Sequence, residues 1–430
     1  MNTIEKYRRY VNTSSLAGIE PIVVGAASGA TVTDVDGTVY TDLFSGISVV
    51  GAGHGHPRVI DAARRQMDDL VHCASYVYHV PVVADLAERL AMITPGRLQR
   101  TFFGNSGAEA VEGALRLARA HTGRRETIAL QTSFHGRTAG SLAVTGNSQR
   151  KKRGGFPPSG VAFAPAPHPY RCRMCQGSCT LACADAVEDT LRYETAGDVA
   201  AFIIEPMLGE GGLVPLPDGY LERLKPLLDR ENILLIIDEV QTGFGRTGKM
   251  FGVEHTGVEP DIMTMAKGIA DGFPLGAFIA RDDIAAAFRP GEHMSTFGGN
   301  PVSCAAALAT IDVLVDEQLP ARAAALGAAT MRRLEMLAAE CDVVGEVRGL
   351  GLMIGIELVI DRATKQPAAD AAALVKRQCR ENGVMVGVGG YFGNVMRIQP
   401  PLVIGDDQLG RALDVVESAI RSLSRSPVAA

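Results

Sequence analysis

The chain shows two different patterns of hydrophobic and polar residues, one in its middle and one at its two ends. Between about residues 100 and 270, short apolar runs at 127–131, 199–204, 233–237 and 262–265 alternate with segments long enough to form a helix. Short apolar strands separated by helices are typical of a parallel sheet that is covered on both faces. The pattern therefore predicts an α/β domain built on a mostly parallel sheet.

The two ends of the chain show a different pattern. Segment 30–43 alternates apolar and polar residues around Asp36-Gly37, which predicts a hairpin with a tight turn. The C-terminal 110 residues predict a strand at 346–358, a helix near 370–382, a strand near 394–399 and a final helix that ends near Leu423. We therefore divide the chain into an N-terminal segment (1–54) that packs with the small domain, a large domain (55–320) and a small α+β domain (321–430).

Composition narrows the class of protein. The 430 residues are 47% hydrophobic and 21% charged, with a net charge of −6, so we expect a folded protein with no general affinity for nucleic acid. No stretch has the ~20 apolar residues of a membrane span, and the first residues do not resemble a secretory signal. We expect a cytoplasmic protein that does not bind membranes, in which the cysteines form no disulfide scaffold.

A small-residue loop at 104–109 is the first candidate site. Its sequence, Gly-Asn-Ser-Gly-Ala-Glu, lies between an expected strand and an expected helix. Small residues at a helix start expose backbone N–H groups, and the helix dipole favours an anion there. The loop is a candidate phosphate cradle. An ordinary tight turn with a serine cap is the alternative, and the spacing matches neither the P-loop nor the dinucleotide fingerprint.

Two expected strand ends carry ionisable side chains. Asp238 and Glu239 follow the run at 233–237, at the edge where open α/β sheets bind ligands. Lys267 follows the run at 262–265, and a lysine held out of water there has a lowered pKa and can act as a nucleophile. A metal-binding acid, a solvated strand end and an ordinary surface lysine are the competing interpretations.

These segments together indicate one cofactor. The loop at 295–301 contains a glycine pair. It is either a second loop whose backbone approaches a ligand closely or an ordinary turn at the start of a helix. A phosphate cradle, an acid (Asp238) and a lysine 29 residues later (Lys267) are what pyridoxal phosphate requires. The lysine forms an imine with it, the acid keeps its pyridine nitrogen protonated, and helix N–H groups hold its phosphate.

The sequence resembles the class III (ω-amino acid) aminotransferases of fold type I, which include 4-aminobutyrate, ornithine and acetylornithine aminotransferases. The resemblance covers about residues 20 to 420. Its motifs are FFGNSGAEAVEGALRLAR, SFHGRTAGSLAVTG, IIEPMLGEGG, LLIIDEVQTGFGRTGKMF, AKGIADGFPLGA and STFGGNPVSCAAAL. It implies pyridoxal 5′-phosphate as the cofactor and a homodimer or dimer-based oligomer with its active site at the subunit interface.

The resemblance also implies a role for each matching cofactor position. Lys267 would form the imine and later move the substrate proton, and Asp238 would pair with the pyridine nitrogen. The other contacts would come from Ser106, Gly107 and Ala108 at the phosphate, Thr296 of the neighbouring subunit at the same phosphate, Phe134 and Val240 on the two ring faces, and Gln241 at the phenolic oxygen.

Three charged positions concern the substrate. The resemblance implies that Arg137 and Arg397 bind carboxylates, for which the guanidinium fork is suited, and that Glu210 masks Arg397 when an ω-amino substrate is bound. A switchable charge favours transfer of an amino group from an (ω-)amino acid to an α-keto acid by a ping-pong mechanism. A racemase or epimerase, an amine lyase and an inactive scaffold that binds the cofactor are the alternatives. The donor and the acceptor stay open.

One cluster lies outside this scheme. Cys172, Cys175, Cys179 and Cys183 fall within twelve residues, a number of thiols that would suit zinc or an iron–sulfur cluster. The last three, however, are spaced like one face of a helix, whereas tetrahedral sites usually draw ligand pairs from separate elements. We expect a variable loop with free or loosely paired thiols and assign no metal, although metal binding by these cysteines stays open.

Overall fold

The secondary structure is taken from a computed structural model, which describes residues 1–12, 19–152, 159–175 and 178–423. Helices of eight or more residues are α1 (Thr3–Tyr10), α2 (Pro57–Asp69), α3 (Pro81–Ile93), α4 (Gly107–Thr122), α5 (Ala182–Glu194), α6 (Tyr220–Arg230), α7 (Pro301–Asp316), α8 (Leu319–Glu340), α9 (Ala369–Glu381) and α10 (Asp406–Leu423). Strands are β1 (Val24–Ser28), β2 (Thr31–Asp34), β3 (Val39–Asp42), β4 (Leu98–Gly104), β5 (Glu126–Leu130), β6 (Val161–Ala164), β7 (Val199–Ile204), β8 (Met207–Leu208), β9 (Val214–Pro215), β10 (Leu234–Asp238), β11 (Ile262–Met265), β12 (Gly276–Arg281), β13 (Val344–Leu350), β14 (Met353–Asp361), β15 (Gln366–Pro367), β16 (Val384–Met385), β17 (Gly387–Gly389) and β18 (Val395–Ile398).

A seven-stranded sheet in the order β4-β12-β11-β10-β7-β5-β6 forms the centre of the large domain. Neighbouring residues of its inner strands belong to two different hydrophobic clusters: Ile203 and Ile236 lie in one, Ile204 and Ile237 in the other. Since side chains alternate across a strand, the sheet is covered on both faces. The predicted α/β fold with a mostly parallel sheet is confirmed.

Strand β12 is the exception to the parallel arrangement. It pairs antiparallel with both β11 and β4. Only residues 266–275 connect β11 to β12, which is shorter than the dozen or more residues that a parallel crossover needs. Gly276 opens β12 beneath the candidate phosphate loop, where a Cβ would lie 2.2 Å from the carbonyl oxygen of Ser106.

The N-terminal strands pair with the C-terminal part of the chain. A four-stranded sheet has the order β1-β2-β3-β16, and β3 runs parallel to β16 with Thr41 opposite Val384. The expected hairpin at 30–43 corresponds to β2 and β3, and Gly37 in its turn has a φ of +88°. Strand β1, which pairs with β2, was not predicted. We propose the division into 1–54, 55–320 and 321–430 on this basis.

Segment 346–358 differs from its prediction as a single strand. It contributes to two antiparallel strands, β13 and β14, which turn at residues 351–352. Gly351 has a φ of +53°, and a Cβ there would lie 2.4 Å from the carbonyl carbon of Thr247, so the turn packs directly on the large domain. Within the described ranges, no helix is long and apolar enough to cross a bilayer.

Candidate active site

The candidate residues meet at one edge of the large sheet. Strands β4, β5, β7, β10 and β11 are parallel, so their carboxyl ends lie at the same edge, which is where open α/β sheets bind ligands. The residues that follow these ends include Ser106 after β4, Phe134 and His135 after β5, Glu205 after β7, Asp238 at the end of β10 and Lys267 after β11.

Asp238 is held on both carboxylate oxygens. Its Oδ2 lies 2.7 Å from Nδ1 of His135, and its Oδ1 accepts hydrogen bonds of 3.0 Å from the Thr264 hydroxyl and the Val240 N–H. Only 3% of Asp238 is exposed. These partners fix the carboxylate in one orientation. His135 was not predicted, and its only signal in the sequence is its place next to Phe134 in SFHG.

Glu239 serves a different purpose from its neighbour. Its carboxylate accepts hydrogen bonds from the N–H groups of Gly252 and Val253 at 2.9 and 2.7 Å and from the Thr242 hydroxyl. Burial raises the pKa of Glu239 to about 7. It therefore anchors the turn at 252–253, while Asp238 is held by a separate set of partners.

Lys267 has an unusual backbone conformation and a side-chain amine with a lowered pKa. Its φ of +50° is rare for a residue with a side chain, and strained backbone is frequent at functional sites. Removal from water, and then the positive charge of Arg397, lower the pKa of Lys267 to about 8, against the opposing effect of Asp238. The amine is thus far more often neutral at physiological pH than that of an ordinary lysine.

The loop at 104–109 forms the N-terminus of α4. Ser106 is the N-cap, and its hydroxyl accepts from the N–H of Glu109 at 3.2 Å. A Cβ on Gly107 would lie 2.8 Å from Val240, so the loop approaches the residue after β10 closely. Ala108 lies in the same first helical turn. This places the N-terminus of α4, with the positive end of its helix dipole, beside Val240, two residues after Asp238.

Glu205 positions two of the other segments. Its Oε1 accepts from the N–H of Phe134 at 2.9 Å and its Oε2 from the N–H of Gly209 at 2.8 Å. Burial raises the pKa of Glu205 to about 7. It too was not predicted, although it lies in the IIEPMLGEGG motif. Gln241 is nearby, since a Cβ on Gly209 would lie 1.8 Å from its Oε1.

Three predicted site residues are exposed: Ser106, described above, Arg137 and Thr296. Arg137 places its guanidinium 5.8 Å from the centre of the Phe134 ring, and Thr296 lies in the loop before α7. The predicted contact of Thr296 is with a neighbouring subunit, so it stays a prediction.

Arg397 and Glu210 lie in a cluster of three charges. Arg397 in β18 is 5% exposed, and its Nε and Nη2 have no hydrogen-bond partner in the described part of the chain. Glu210 instead accepts a hydrogen bond of 2.9 Å from Nε of Arg150. Burial lowers the pKa of Arg397 to about 10, Glu210 opposes that effect, and Arg150 adds to it. In this structure, therefore, Glu210 is paired with Arg150.

The residues fit pyridoxal 5′-phosphate. The side-chain N–H₂ of Gln241 is buried and has no hydrogen-bond partner in the described ranges. Since buried donors are normally paired, this group is available to an oxygen of a bound ligand. The α4 N-terminus suits a phosphate, the fixed carboxylate of Asp238 suits a protonated ring nitrogen, and Lys267 supplies an amine of lowered pKa.

The thiols and possible metal ligands lie elsewhere. All eight cysteines fall in the described ranges and are free thiols, and hydrogen bonds from Thr180 lower the pKa of Cys175 to about 7. His168, Glu346 and Glu357 have ligand atoms within 4.8 Å of one another. Both carboxylates, however, accept hydrogen bonds from Arg348, and Glu357 also accepts one from Arg171, so two guanidinium groups already pair with the two carboxylates.

Known proteins resemble this chain over nearly its whole length. The family model "Aminotransferase class-III" matches residues 14–420. The acetylornithine aminotransferase of Methanothermobacter thermautotrophicus is 45% identical over 404 residues, covering 94% of this chain and 95% of that protein. The leucine/methionine racemase of Thermococcus litoralis is 38% identical over 431 residues, covering 99% and 96%.

A solved structure agrees with this relationship. The amine transaminase from an uncultivated Pseudomonas species, determined with pyridoxal phosphate bound, superposes with a TM-score of 0.90 at 35% identity and covers 95% of this chain and 98% of its own. The predicted family is confirmed: the chain belongs to the class-III aminotransferases, which are enzymes that depend on pyridoxal 5′-phosphate.

Proposed function

We propose that this enzyme transfers an amino group between an ω-amino or basic amino acid and an α-keto acid in a ping-pong reaction. One observation carries the proposal: the guanidinium of Arg397 is buried, and its Nε and Nη2 have no hydrogen-bond partner among the described residues. A buried cation with free donors is a receptor for a carboxylate. The nearby carboxylate of Glu210 can pair with Arg397 when the bound substrate has no carboxylate to place there.

The side chains divide the work. When bound, pyridoxal 5′-phosphate would act as an electron sink for the substrate carbon that bears the amino group. Asp238, oriented by His135, would keep the ring nitrogen protonated, and the N–H groups of Ser106, Gly107 and Ala108 would hold the phosphate. Phe134 and Val240 would contact the ring, and Gln241 would donate to the phenolic oxygen. Lys267 would take the proton of that substrate carbon at Nζ and return it, while Arg397 and Arg137 would bind substrate carboxylates.

We further propose a cytoplasmic homodimer with its active site at the subunit interface. Phe297 is 62% exposed and Met294 59% exposed, on either side of Thr296. Tyr76 and Tyr78 are also exposed, in the segment before α3. Exposed apolar side chains of this size commonly mark a protein interface. Such an interface would bring Thr296 to the phosphate of the neighbouring subunit.

A racemase is the second candidate, favoured by the leucine/methionine racemase among the relatives. Half-reactions separate the two. The loaded enzyme, given 4-aminobutyrate, ornithine or N-acetylornithine without a keto acid, should release one carbonyl product per active site and then stop until 2-oxoglutarate or pyruvate is added. If enantiopure leucine loses its optical rotation and none of these donors releases a carbonyl product, the racemase assignment replaces ours.

A further inference from the structure

Arg150 is a half-buried cation that the family resemblance does not explain. It ends a short 3₁₀ turn, Ser148–Arg150, that follows the SFHGRTAGSLAVTG motif. Its Nε donates to Oε2 of Glu210 at 2.9 Å, and the two side chains are 33% and 22% exposed. Partial burial strengthens such a pair relative to one in open solvent, because water screens it less.

The turn that carries Arg150 is tied to the strand that carries Arg397. The hydroxyl groups of Ser148 and Tyr391 lie 2.8 Å apart, and Tyr391 is in the loop that leads into β18. This bond keeps the two arginines in one neighbourhood. Their proximity is also seen in the pKa of Arg397, which Arg150 lowers and Glu210 raises.

The cluster therefore has two guanidinium groups and one nearby carboxylate. The carboxylate of Glu210 lies near both arginines, and its side chain can turn between staggered rotamers. In this structure it is paired with Arg150, and the Nε and Nη2 of Arg397 have no partner within the described ranges.

We propose that Arg150 is a specificity-determining residue that holds Glu210 away from Arg397. While Glu210 is paired with Arg150, Arg397 can bind a substrate carboxylate. When Glu210 leaves Arg150 it pairs with Arg397, and the site then accepts an amine that has no carboxylate at that position. In this scheme Arg150 is a positioning residue, because it acts through Glu210. This inference rests on the proposed role of Arg397 as the carboxylate receptor.

The test removes the competing cation. In Arg150→Gln, Glu210 should move to Arg397, so the KM for 2-oxoglutarate should rise by about tenfold (about 1.4 kcal/mol) with kcat little changed. The KM for an amine without a carboxylate, such as 1-phenylethylamine, should stay constant or fall. Arg150→Lys should show an intermediate effect. The matched control is Lys152→Gln, which removes an exposed charge two residues away and should leave both KM values unchanged.

A double variant distinguishes competition from direct contact. With Glu210→Gln added to Arg150→Gln, nothing anionic can cover Arg397, so the KM for 2-oxoglutarate should return towards that of the wild type. If the single variant shifts that KM by less than twofold, or if the double variant gives no recovery, the inference is wrong.

A binding measurement separates this result from a failure of the proposed function. Glutarate, an unreactive dicarboxylate, should bind the loaded wild-type enzyme in calorimetry, bind Arg150→Gln about tenfold more weakly, and regain affinity in the double variant. If glutarate binding is unaffected by Arg397→Gln, the carboxylate receptor itself has been misassigned. If Arg397→Gln weakens binding and Arg150→Gln does not, only the role of Arg150 fails.

Discussion

The imidazole of His135 lies 2.7 Å from the carboxylate of Asp238, and both side chains are almost fully buried. This contact joins the segment after β5 to the end of β10, two strands that are not adjacent in the large sheet. A histidine that donates from Nδ1 to a buried carboxylate fixes both its own tautomer and the direction of the carboxylate. Asp238 therefore reaches the cofactor site with one orientation set by the protein.

We predict that His135→Ala weakens the cofactor site through Asp238. Removing a partner from a buried charged group costs about 2 kcal/mol or more, so the dissociation constant for pyridoxal 5′-phosphate should rise by about 30-fold. His135→Asn can still donate a hydrogen bond and should lose less. Absorbance titration of the apoenzyme measures both values. Equal affinities in wild type and His135→Ala would show that the contact has no part in cofactor binding.

Replacing the acid itself should have a larger effect on turnover than on folding. In Asp238→Ala the ring nitrogen loses the carboxylate that keeps it protonated, and a loss of about 3 kcal/mol of transition-state stabilisation lowers kcat by at least about 100-fold. Steady-state kinetics with saturating cofactor measures this loss. Glu239→Gln, which alters the neighbouring carboxylate that anchors residues 252–253, is the control. Near-normal turnover in Asp238→Ala would exclude the assigned role.

The amine of Lys267 should titrate near pH 8 in the apoenzyme. An ordinary lysine, with a pKa of about 10.4, is neutral in roughly one molecule in 250 at pH 8, whereas Lys267 should be about half neutral. Its acetylation rate, followed by peptide mass spectrometry, should level off above pH 8 to 9. Arg397→Gln should raise the midpoint, because the positive charge of Arg397 disfavours a second one. A midpoint near pH 10 in wild type would contradict this.

Asp271 should make stability fall as the pH rises towards neutrality. Its Oδ1 accepts from the N–H of Ala52 at 2.9 Å, and burial raises its pKa from 3.8 to about 7. Because the folded state binds this proton more tightly, the associated stability is complete below pH 3.8 and is lost as the pH approaches 7.

An isosteric substitution tests this dependence. Asp271→Asn keeps the acceptor oxygen without the charge. At pH 8.5 its free energy of unfolding, measured by urea denaturation, should therefore exceed that of wild type by about 1 kcal/mol or more. This difference in stability should be smaller at pH 5.5. Asp271→Ala loses the bond to Ala52 and should be destabilised at pH 5.5. A gain for Asp271→Asn that does not depend on pH would contradict the prediction.

The sequence pattern predicted what depends on local periodicity. Apolar runs located β10 and β11, and the residues at their ends placed Asp238 and Lys267 at the edge where such sheets bind ligands. The reversed strand β12 was missed, because its direction depends on the length of a connection and on the close packing of Gly276, neither of which hydrophobicity records. His135, Glu205 and Arg150 were missed for a related reason: each acts through a partner that is distant in sequence and is found only when the strands are assembled.

The pairing of β3 with β16 has a consequence for how the protein is made. At ~10 residues per second, a ribosome needs about half a minute to advance from Thr41 to Val384, its partner in this sheet. During that interval the N-terminal strands have no C-terminal strand to pair with, and the exposed edge of β3 is open to other chains. The nascent enzyme should therefore depend on a chaperone at its N-terminus until translation is nearly complete, and truncated products should aggregate through that edge.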